Sequence, residues 1–139
     1  LILFEGWCVG AVAQDEIALD ESVNFLEATE DADSVWRAYV NQRLKEDYPP
    51  LFEQLDLLLM LKVPCWEMVS LWRSNQEEQL AEKRRGAGVM DRAALQRFVM
   101  HYERLTRHQL IAMPAHADLV LELNEEQRIV TIKKKSATA

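Results

Sequence analysis

Hydrophobic positions along this 139-residue chain form two short unbroken runs and several longer periodic stretches. The runs at residues 1–4 and 57–61 predict buried strands over 1–5 and 57–61, because strands covered on both faces lack an alternating pattern. Alternation near the C-terminus, over residues 118–123 and 128–132, predicts two more strands joined by a tight polar turn. Pro64 ends the second predicted strand, since proline removes a backbone donor.

Apolar side chains recur at helical spacing over three longer stretches, residues 34–48, 66–83 and 91–113. Asp33 or Ser34 can cap the first predicted helix, and Asp91 caps the third. A pair of prolines ends the first helix, and a short helical turn is expected at residues 51–55. The stripe of the first helix consists of Trp36, Tyr39, Val40 and Leu44. Packing roles are expected for Trp36, Trp66 and Trp72.

The predicted order is strand, helix, strand, helix, helix, strand, strand. This order favours one α/β domain with a mostly parallel sheet flanked by helices. Three segments lie outside that pattern: an acidic surface excursion at residues 15–33, a basic loop at 83–90 and a C-terminal tail at 133–139 that should fray. The chain is long enough for such a domain to bury a core.

Composition narrows the class of partner. The formal charge of −7 argues against nucleic acid and anionic membranes, which clustered Lys and Arg would bind. No apolar stretch approaches the roughly 20 residues that a membrane-spanning helix needs. Cys8 and Cys65 form no C-x-x-C pair, so reduced thiols in a cytoplasmic protein are the simplest expectation.

Glu5 is the first candidate for chemistry because it directly follows an apolar run. An acid at the carboxyl end of a buried strand can hold a metal ion or accept a proton. The same pattern also fits an acid that caps the next turn, and the sequence leaves both open. Since a central strand is not expected to open a complete protein, we expect further sequence upstream.

The basic loop is the second candidate. Lys83, Arg84 and Arg85 precede two glycines, and arginines on a mobile lid can neutralise charge on a moving phosphoryl group. Alternatively, these cations complement the dipole at the end of a helix that glycine terminates.

The last predicted helix carries a polar row at steps of four, three and four, formed by Arg97, His101, Arg104 and His108. Such a row can line a phosphate or carboxylate pocket, but more often it is a solvated face. His101 and His108 lie two turns apart, roughly 10 Å, which is too far for one metal ion. The pattern G-x-x-x-x-G-K-[ST] of a phosphate-binding loop occurs nowhere in the chain.

Two phrases carry a family resemblance, Glu-Gly-Trp-Cys-Val-Gly at residues 5–10 and His-Tyr-Glu-Arg-Leu-Thr at 101–106. With them the sequence resembles the D-glycerate 3-kinase family, P-loop kinases related to uridine kinase and pantothenate kinase. Further resembling stretches follow in family order at residues 36–41, 55–57, 72–77 and 84–88.

The resemblance implies the C-terminal part of a P-loop kinase fold, with the N-terminal P-loop strand-helix unit missing. It implies an enzyme that uses ATP and Mg²⁺ to phosphorylate a hydroxyl of a small hydroxy acid such as D-glycerate. It places Glu5 at the metal and the acceptor hydroxyl, Arg84 and Arg85 in the lid, and Lys83 near the nucleotide. The implied substrate-binding residues are Gly6, Trp7, Cys8, Gly10, His101, Tyr102 and Arg104. Without the P-loop, this chain alone is expected to be inactive.

Three alternatives remain open from the residues. The chain can be a non-catalytic folded module that binds a partner, or itself, through an exposed sheet edge. It can be a metal-dependent hydrolase that uses Glu5 and a histidine. A nucleophilic pair of Cys8 with a histidine rests only on the presence of both residue types.

Overall fold

The computed structural model of the chain describes residues 1–83 and 90–135, with only the backbone of Lys83. The helices are α1 (Phe25–Glu30), α2 (Val35–Glu46), α3 (Pro49–Phe52), α4 (Trp66–Lys83) and α5 (Arg92–Ala112). The strands are β1 (Leu59–Lys62), β2 (Leu119–Leu123) and β3 (Ile129–Lys134). Two short 3-10 turns occur at Glu16–Leu19 and Met113–Ala115. None of the helices in the described ranges is long and apolar enough to cross a bilayer.

The sheet has three strands in the order β1-β2-β3. β1 pairs with β2 in parallel, and the chain between them forms α4 and α5. β2 and β3 are antiparallel neighbours joined by a turn in which the Arg128 amide donates to Asn124 Oδ1 at 2.9 Å. The α/β class predicted from the sequence is confirmed, and one of the two strand pairs is parallel.

A small apolar core lies on one face of the sheet. Met60 of β1 and Val120 of β2 pack with Met113 and Ala117 from the end of α5 and the turn after it. The opposite face of the sheet carries Leu59, Leu61 and Ile132, which are 42%, 59% and 62% exposed. The sheet therefore buries one apolar face and leaves much of the other open to solvent.

The predicted first strand is wrong. Residues 1–5 form no strand, and the side chains of Leu1, Ile2 and Leu3 are each more than 80% exposed. A strand needs backbone hydrogen bonds from a neighbour, and none of the strands in the described ranges pairs with this segment. Hydrophobicity predicted burial here, but burial requires a partner surface as well as an apolar sequence.

The predicted apolar stripe of α2 is confirmed at Leu44 and wrong at its other three positions. Trp36, Tyr39 and Val40 are 68%, 57% and 47% exposed, whereas Arg37, Asn41 and Leu44 are buried. The polar side chains are buried because they hold the preceding segment: Asn41 bonds the backbone of Gln14 in both directions, at 2.7 and 3.0 Å. Hydrogen bonds therefore override the hydrophobic pattern in orienting this helix.

The cap of α2 differs from the prediction as well. Ser34 occupies the cap position with a φ of 61° and makes no capping bond through its side chain. Instead, the carboxylate of Asp31 accepts from the amides of Trp36 at 2.7 Å and Arg37 at 3.1 Å. The capping of α5 by Asp91 is confirmed, since Asp91 Oδ1 accepts from the Ala94 amide at 2.8 Å.

The segments outside the predicted pattern have mixed outcomes. The acidic excursion contains a 3-10 turn and α1, so it is more structured than predicted. Lys133 and Lys134 belong to β3 and do not fray, whereas residues 136–139 lie outside the described ranges. Of the expected packing tryptophans, Trp66 is only 6% exposed, and its ring lies 5.9 Å from the guanidinium of Arg107.

Candidate functional site

The turn at residues 6–10 lies against Leu58, the residue that precedes β1. The Val9 amide donates to the Gly6 carbonyl at 3.3 Å, and Ala11 donates to the Cys8 carbonyl at 3.0 Å. Gly10 has a φ of 77°, and a Cβ atom placed there would lie 2.6 Å from the Leu58 side chain. Only glycine tolerates both conditions, so this position determines how the turn sits.

The turn meets α5 through aromatic side chains. Trp7 contacts Tyr102 edge to face, with ring centroids 4.9 Å apart and an interplanar angle of 71°. Tyr102 in turn packs on Phe98, also at 4.9 Å. Two segments separated by almost one hundred residues, both singled out in the sequence, therefore lie side by side.

Next to this contact is a cavity of about 510 Å³, enclosed by the turn, α1, α2 and α5. Its apolar wall consists of Trp7, Leu26, Trp36, Val40, Leu44, Met100 and Leu105. Its polar lining consists of Gln14, Glu27, Glu30, Asp31, Arg37, Asn41, His101 and Arg104. The cavity thus collects Trp7, His101 and Arg104, three of the predicted substrate-binding residues.

The side chain of Arg104 binds the acidic segment, residues 15–33. Its Nε and Nη2 donate to the two carboxylate oxygens of Glu27 at 2.8 and 2.7 Å. Nη1 donates to the Ala18 carbonyl at 2.8 Å, and Nη2 also reaches the Glu21 carbonyl at 2.5 Å. Every nitrogen of this guanidinium has an acceptor within the protein, so Arg104 joins α5 to the acidic segment.

The pKa of Glu27 reflects its pairing with Arg104. Burial alone would raise the pKa of Glu27, but hydrogen bonds from Arg104 and the Val23 amide, with the charges of Arg104 and Arg37, lower it overall. The Glu27 side chain is 12% exposed and that of Arg104 is 10% exposed. A charge-assisted double hydrogen bond of this kind is strong, and it fixes the wall of the cavity.

Arg37 is the residue that sequence reasoning missed. Its side chain is 3% exposed, Nε donates to the Leu19 carbonyl at 2.7 Å, and Nη1 donates to Asp31 Oδ2 at 3.1 Å and to the Asp31 carbonyl. Among the described residues, nothing accepts from its Nη2. The available signal was the spacing of Arg37, Asn41 and Leu44, which places a second stripe on α2 beside the apolar one.

The other members of the α5 row have separate roles. Arg97 forms a two-bond ion pair with Glu30, and the longer of the two bonds is 2.7 Å. The ring Nδ1 of His101 lies 2.9 Å from the Arg97 carbonyl. Desolvation lowers the pKa of His108, although the charge of Asp15 and the backbone at Val12 and Ala13 work in the opposite direction. The row therefore docks the acidic segment and is more than a solvated face.

Charges around the cavity balance. Three arginines meet three carboxylates as the pairs Arg37–Asp31, Arg97–Glu30 and Arg104–Glu27. No group of three or more His, Cys, Asp or Glu side chains in residues 1–83 and 90–135 is arranged to hold a metal ion. The sequence likewise contains no phosphate-binding loop of the G-x-x-x-x-G-K-[ST] type.

The remaining predicted site residues lie apart from the cavity or outside the described ranges. Glu5 is exposed and forms no ion pair with the described residues. Cys8 is half-buried, and desolvation raises the pKa of its thiol, which disfavours a nucleophilic thiolate. Lys83 is the last residue of α4, whereas Arg84 and Arg85 fall outside the described residues.

Among the comparisons with known proteins, the one with solved structures gives matches. No family model matches the sequence, and no curated protein matches it. A solved structure that it resembles is D-glycerate 3-kinase from Cryptococcus neoformans var. grubii serotype A, with a TM-score of 0.71 and 19% identity. The match covers 95% of this chain and 49% of that one, so the chain spans about half the length of the enzyme. At this identity the likeness shows a shared fold: the chain has the kinase-like α/β fold of the matched half.

Proposed function

We propose that this chain forms the acceptor-binding part of an ATP-dependent kinase that phosphorylates a hydroxyl of a small hydroxy acid such as D-glycerate. The observation that carries the proposal is the fold shared with a D-glycerate 3-kinase over 95% of the chain. The contact between Trp7 and Tyr102 supports it, because it joins the two segments that resemble that family in sequence.

The proposed roles divide between acceptor and nucleotide. Gly6 and Gly10 shape the turn that carries Trp7 and Cys8, while His101, Tyr102 and Arg104 form the facing side of the acceptor site. Glu5 accepts the proton of the acceptor hydroxyl or holds Mg²⁺ through water. The proposed nucleotide contacts are Lys83, Arg84 and Arg85.

Since the sequence contains no G-x-x-x-x-G-K-[ST] loop, the loop that binds the nucleotide phosphates is proposed to come from the half of the fold that this chain does not match.

The test is an assay of the complete product of the gene, with ATP, Mg²⁺ and D-glycerate, following release of ADP. We expect glycerate-dependent turnover, and we expect Glu5→Gln to lower kcat by about two to four decades if Glu5 is the base. The matched control is Glu126→Gln, an exposed acid on the β2–β3 turn, which should leave kcat unchanged. An absence of glycerate-dependent ADP release contradicts the proposal, whereas normal turnover in Glu5→Gln removes only that residue from its role.

A further inference from the structure

The cavity is much larger than a glycerate molecule. Its volume of about 510 Å³ has room for roughly 17 water molecules at about 30 Å³ each. Sites of this size ordinarily hold drug-sized or cofactor-sized molecules. Glycerate would displace only a few of those waters and would leave most of the space to solvent.

The wall of the cavity is equally unsuited to a wholly polar ligand. Trp7, Trp36 and Val40 line it and remain 49%, 68% and 47% exposed. A ligand with an apolar body would cover these side chains and gain about 25 cal/mol for each Å² removed from water. A small polyhydroxy acid offers almost no apolar surface in exchange.

The guanidinium of Arg37 lines the cavity, is held in place by hydrogen bonds and keeps one nitrogen without an acceptor among the described residues. Bonds from Nε to the Leu19 carbonyl and from Nη1 to Asp31 hold the Arg37 guanidinium in place. Nη2 has no acceptor among the described residues and is not sealed from solvent. Because the side chain is 97% buried, an ordered carboxylate beside Nη2 would form a charge-assisted hydrogen bond at little entropic cost.

The charge around the cavity limits the ligand to a small negative charge. All three arginines are paired, Arg97 with Glu30, Arg104 with Glu27 and Arg37 with Asp31, but Arg37 keeps Nη2 without an acceptor among the described residues. A monoanion can be accommodated there, whereas a polyphosphate would face three carboxylates without enough free cations.

From these observations we infer that the cavity binds a monocarboxylate with an apolar, ring-sized body, and that Arg37 receives its carboxylate. This inference rests on the proposed function in taking the cavity as the acceptor site. It deepens that function by assigning the acceptor to larger hydroxy acids with an apolar substituent, of which 3-phenyllactate is the simplest probe.

Calorimetric titration of the full chain without ATP tests the inference. 3-Phenyllactate should bind at least tenfold more tightly than D-glycerate. The uncharged amide of phenyllactate should bind at least tenfold more weakly than the acid, which examines the Arg37 contact without changing the protein. Equal binding of phenyllactate and glycerate, or equal binding of acid and amide, overturns the inference.

Two variants on the same helix localise the site. Trp36→Ala removes an exposed wall residue and should weaken phenyllactate binding at least fivefold, while Tyr39→Ala, exposed but outside the cavity lining, should not. Equal effects of the two substitutions contradict binding in this cavity. If phenyllactate binds as expected and the complete gene product phosphorylates no hydroxy acid, the proposed function fails and the binding site stands. If glycerate is phosphorylated and phenyllactate does not bind, the proposed function stands and the inferred binding site fails.

Discussion

Two regions of this molecule are held together by different forces. The helical region, which we define as residues 15–46 with α5, is joined by two ion pairs between residues far apart in sequence, Arg97–Glu30 and Arg104–Glu27. The sheet region, formed by β1, β2 and β3, depends on a core of four buried apolar residues and leaves Leu59, Leu61 and Ile132 exposed. In the helical region the charged side chains around the cavity are paired, although the buried atoms Arg43 Nε, His108 Nε2 and Gln109 Nε2 have no partner among the described residues. The sheet region instead presents apolar side chains that no described residue covers.

The total surface is large for a chain of this mass. The chain exposes 10183 Å², while a compact monomer of 16.1 kDa exposes roughly 7,400 Å². The surplus agrees with an open sheet face and with exposed residues 1–4. The difference between the regions is therefore that ion pairs fix the helices around the cavity, whereas the sheet presents an apolar face that a further layer would cover.

The largest expected effect comes from breaking the helical region at Arg104. Arg104→Met leaves Glu27 nearly buried without its partner, and losing one member of such a pair costs about 3–5 kcal/mol. Urea unfolding followed by circular dichroism measures the change. The matched control is Arg43→Met, because Arg43 pairs with Glu46 and Asp47 at an exposed site, where such pairs contribute about 0–1 kcal/mol. Similar losses in both variants would contradict the contrast between the regions.

The second effect concerns the sheet. We expect the chain to self-associate through its apolar face, and Ile132→Lys to weaken that association by about 1.5–3 kcal/mol, the value of one large apolar side chain. Light scattering across a concentration series measures the mass. Ile17→Lys is the control, since Ile17 is 81% exposed but lies in the helical region. A wild-type chain that stays monomeric at all concentrations shows that the open face needs no partner.

The third effect tests the link between the two regions. Gly10→Ala combines a left-handed backbone with a 2.6 Å approach to Leu58, so we expect a loss of about 1–3 kcal/mol. Gly6→Ala is the matched control, because the φ of Gly6 is not in the left-handed region. A Cβ atom placed at Gly6 would lie 3.2 Å from the nearest side-chain atom, which belongs to Val9. Thermal unfolding of the two variants should rank Gly10→Ala well below Gly6→Ala. Equal stability would mean that the turn is not fixed against Leu58.

Patterns that involve residues close in sequence predicted α4 and the start of α5 correctly. The helix over Trp66–Lys83 has the predicted bounds, and Asp91 caps α5 as expected, because both depend on residues close in sequence. The predicted strand at residues 1–5 failed because strand pairing depends on a distant segment. The orientation of α2 failed for a similar reason: its polar stripe is buried by Leu19 and Gln14, which helical periodicity does not register.

The candidate site was only partly accessible from the sequence. Trp7 and Tyr102 were singled out by resemblance, and their contact could not be derived from spacing alone. Arg37 was missed because a buried arginine looks like an ordinary surface residue until its acceptors are known. A single sequence therefore does not reveal residues whose role depends on contacts with other segments.

The smallest effect is a pH dependence in the helical region. Desolvation lowers the pKa of His108 below its ordinary value of 6.5, so the unfolded chain takes up this proton before the folded chain does. Stability from this group is complete above about pH 6.5 and falls as the pH drops through the folded pKa. His108→Gln should flatten that part of the stability profile in urea titrations at successive pH values, and His116→Gln, at an exposed position, should not. An unchanged slope in His108→Gln would mean that the contact of α5 with residues 12–15 does not discriminate between the two protonation states. In that case the helical region would owe its pH dependence to its carboxylates alone.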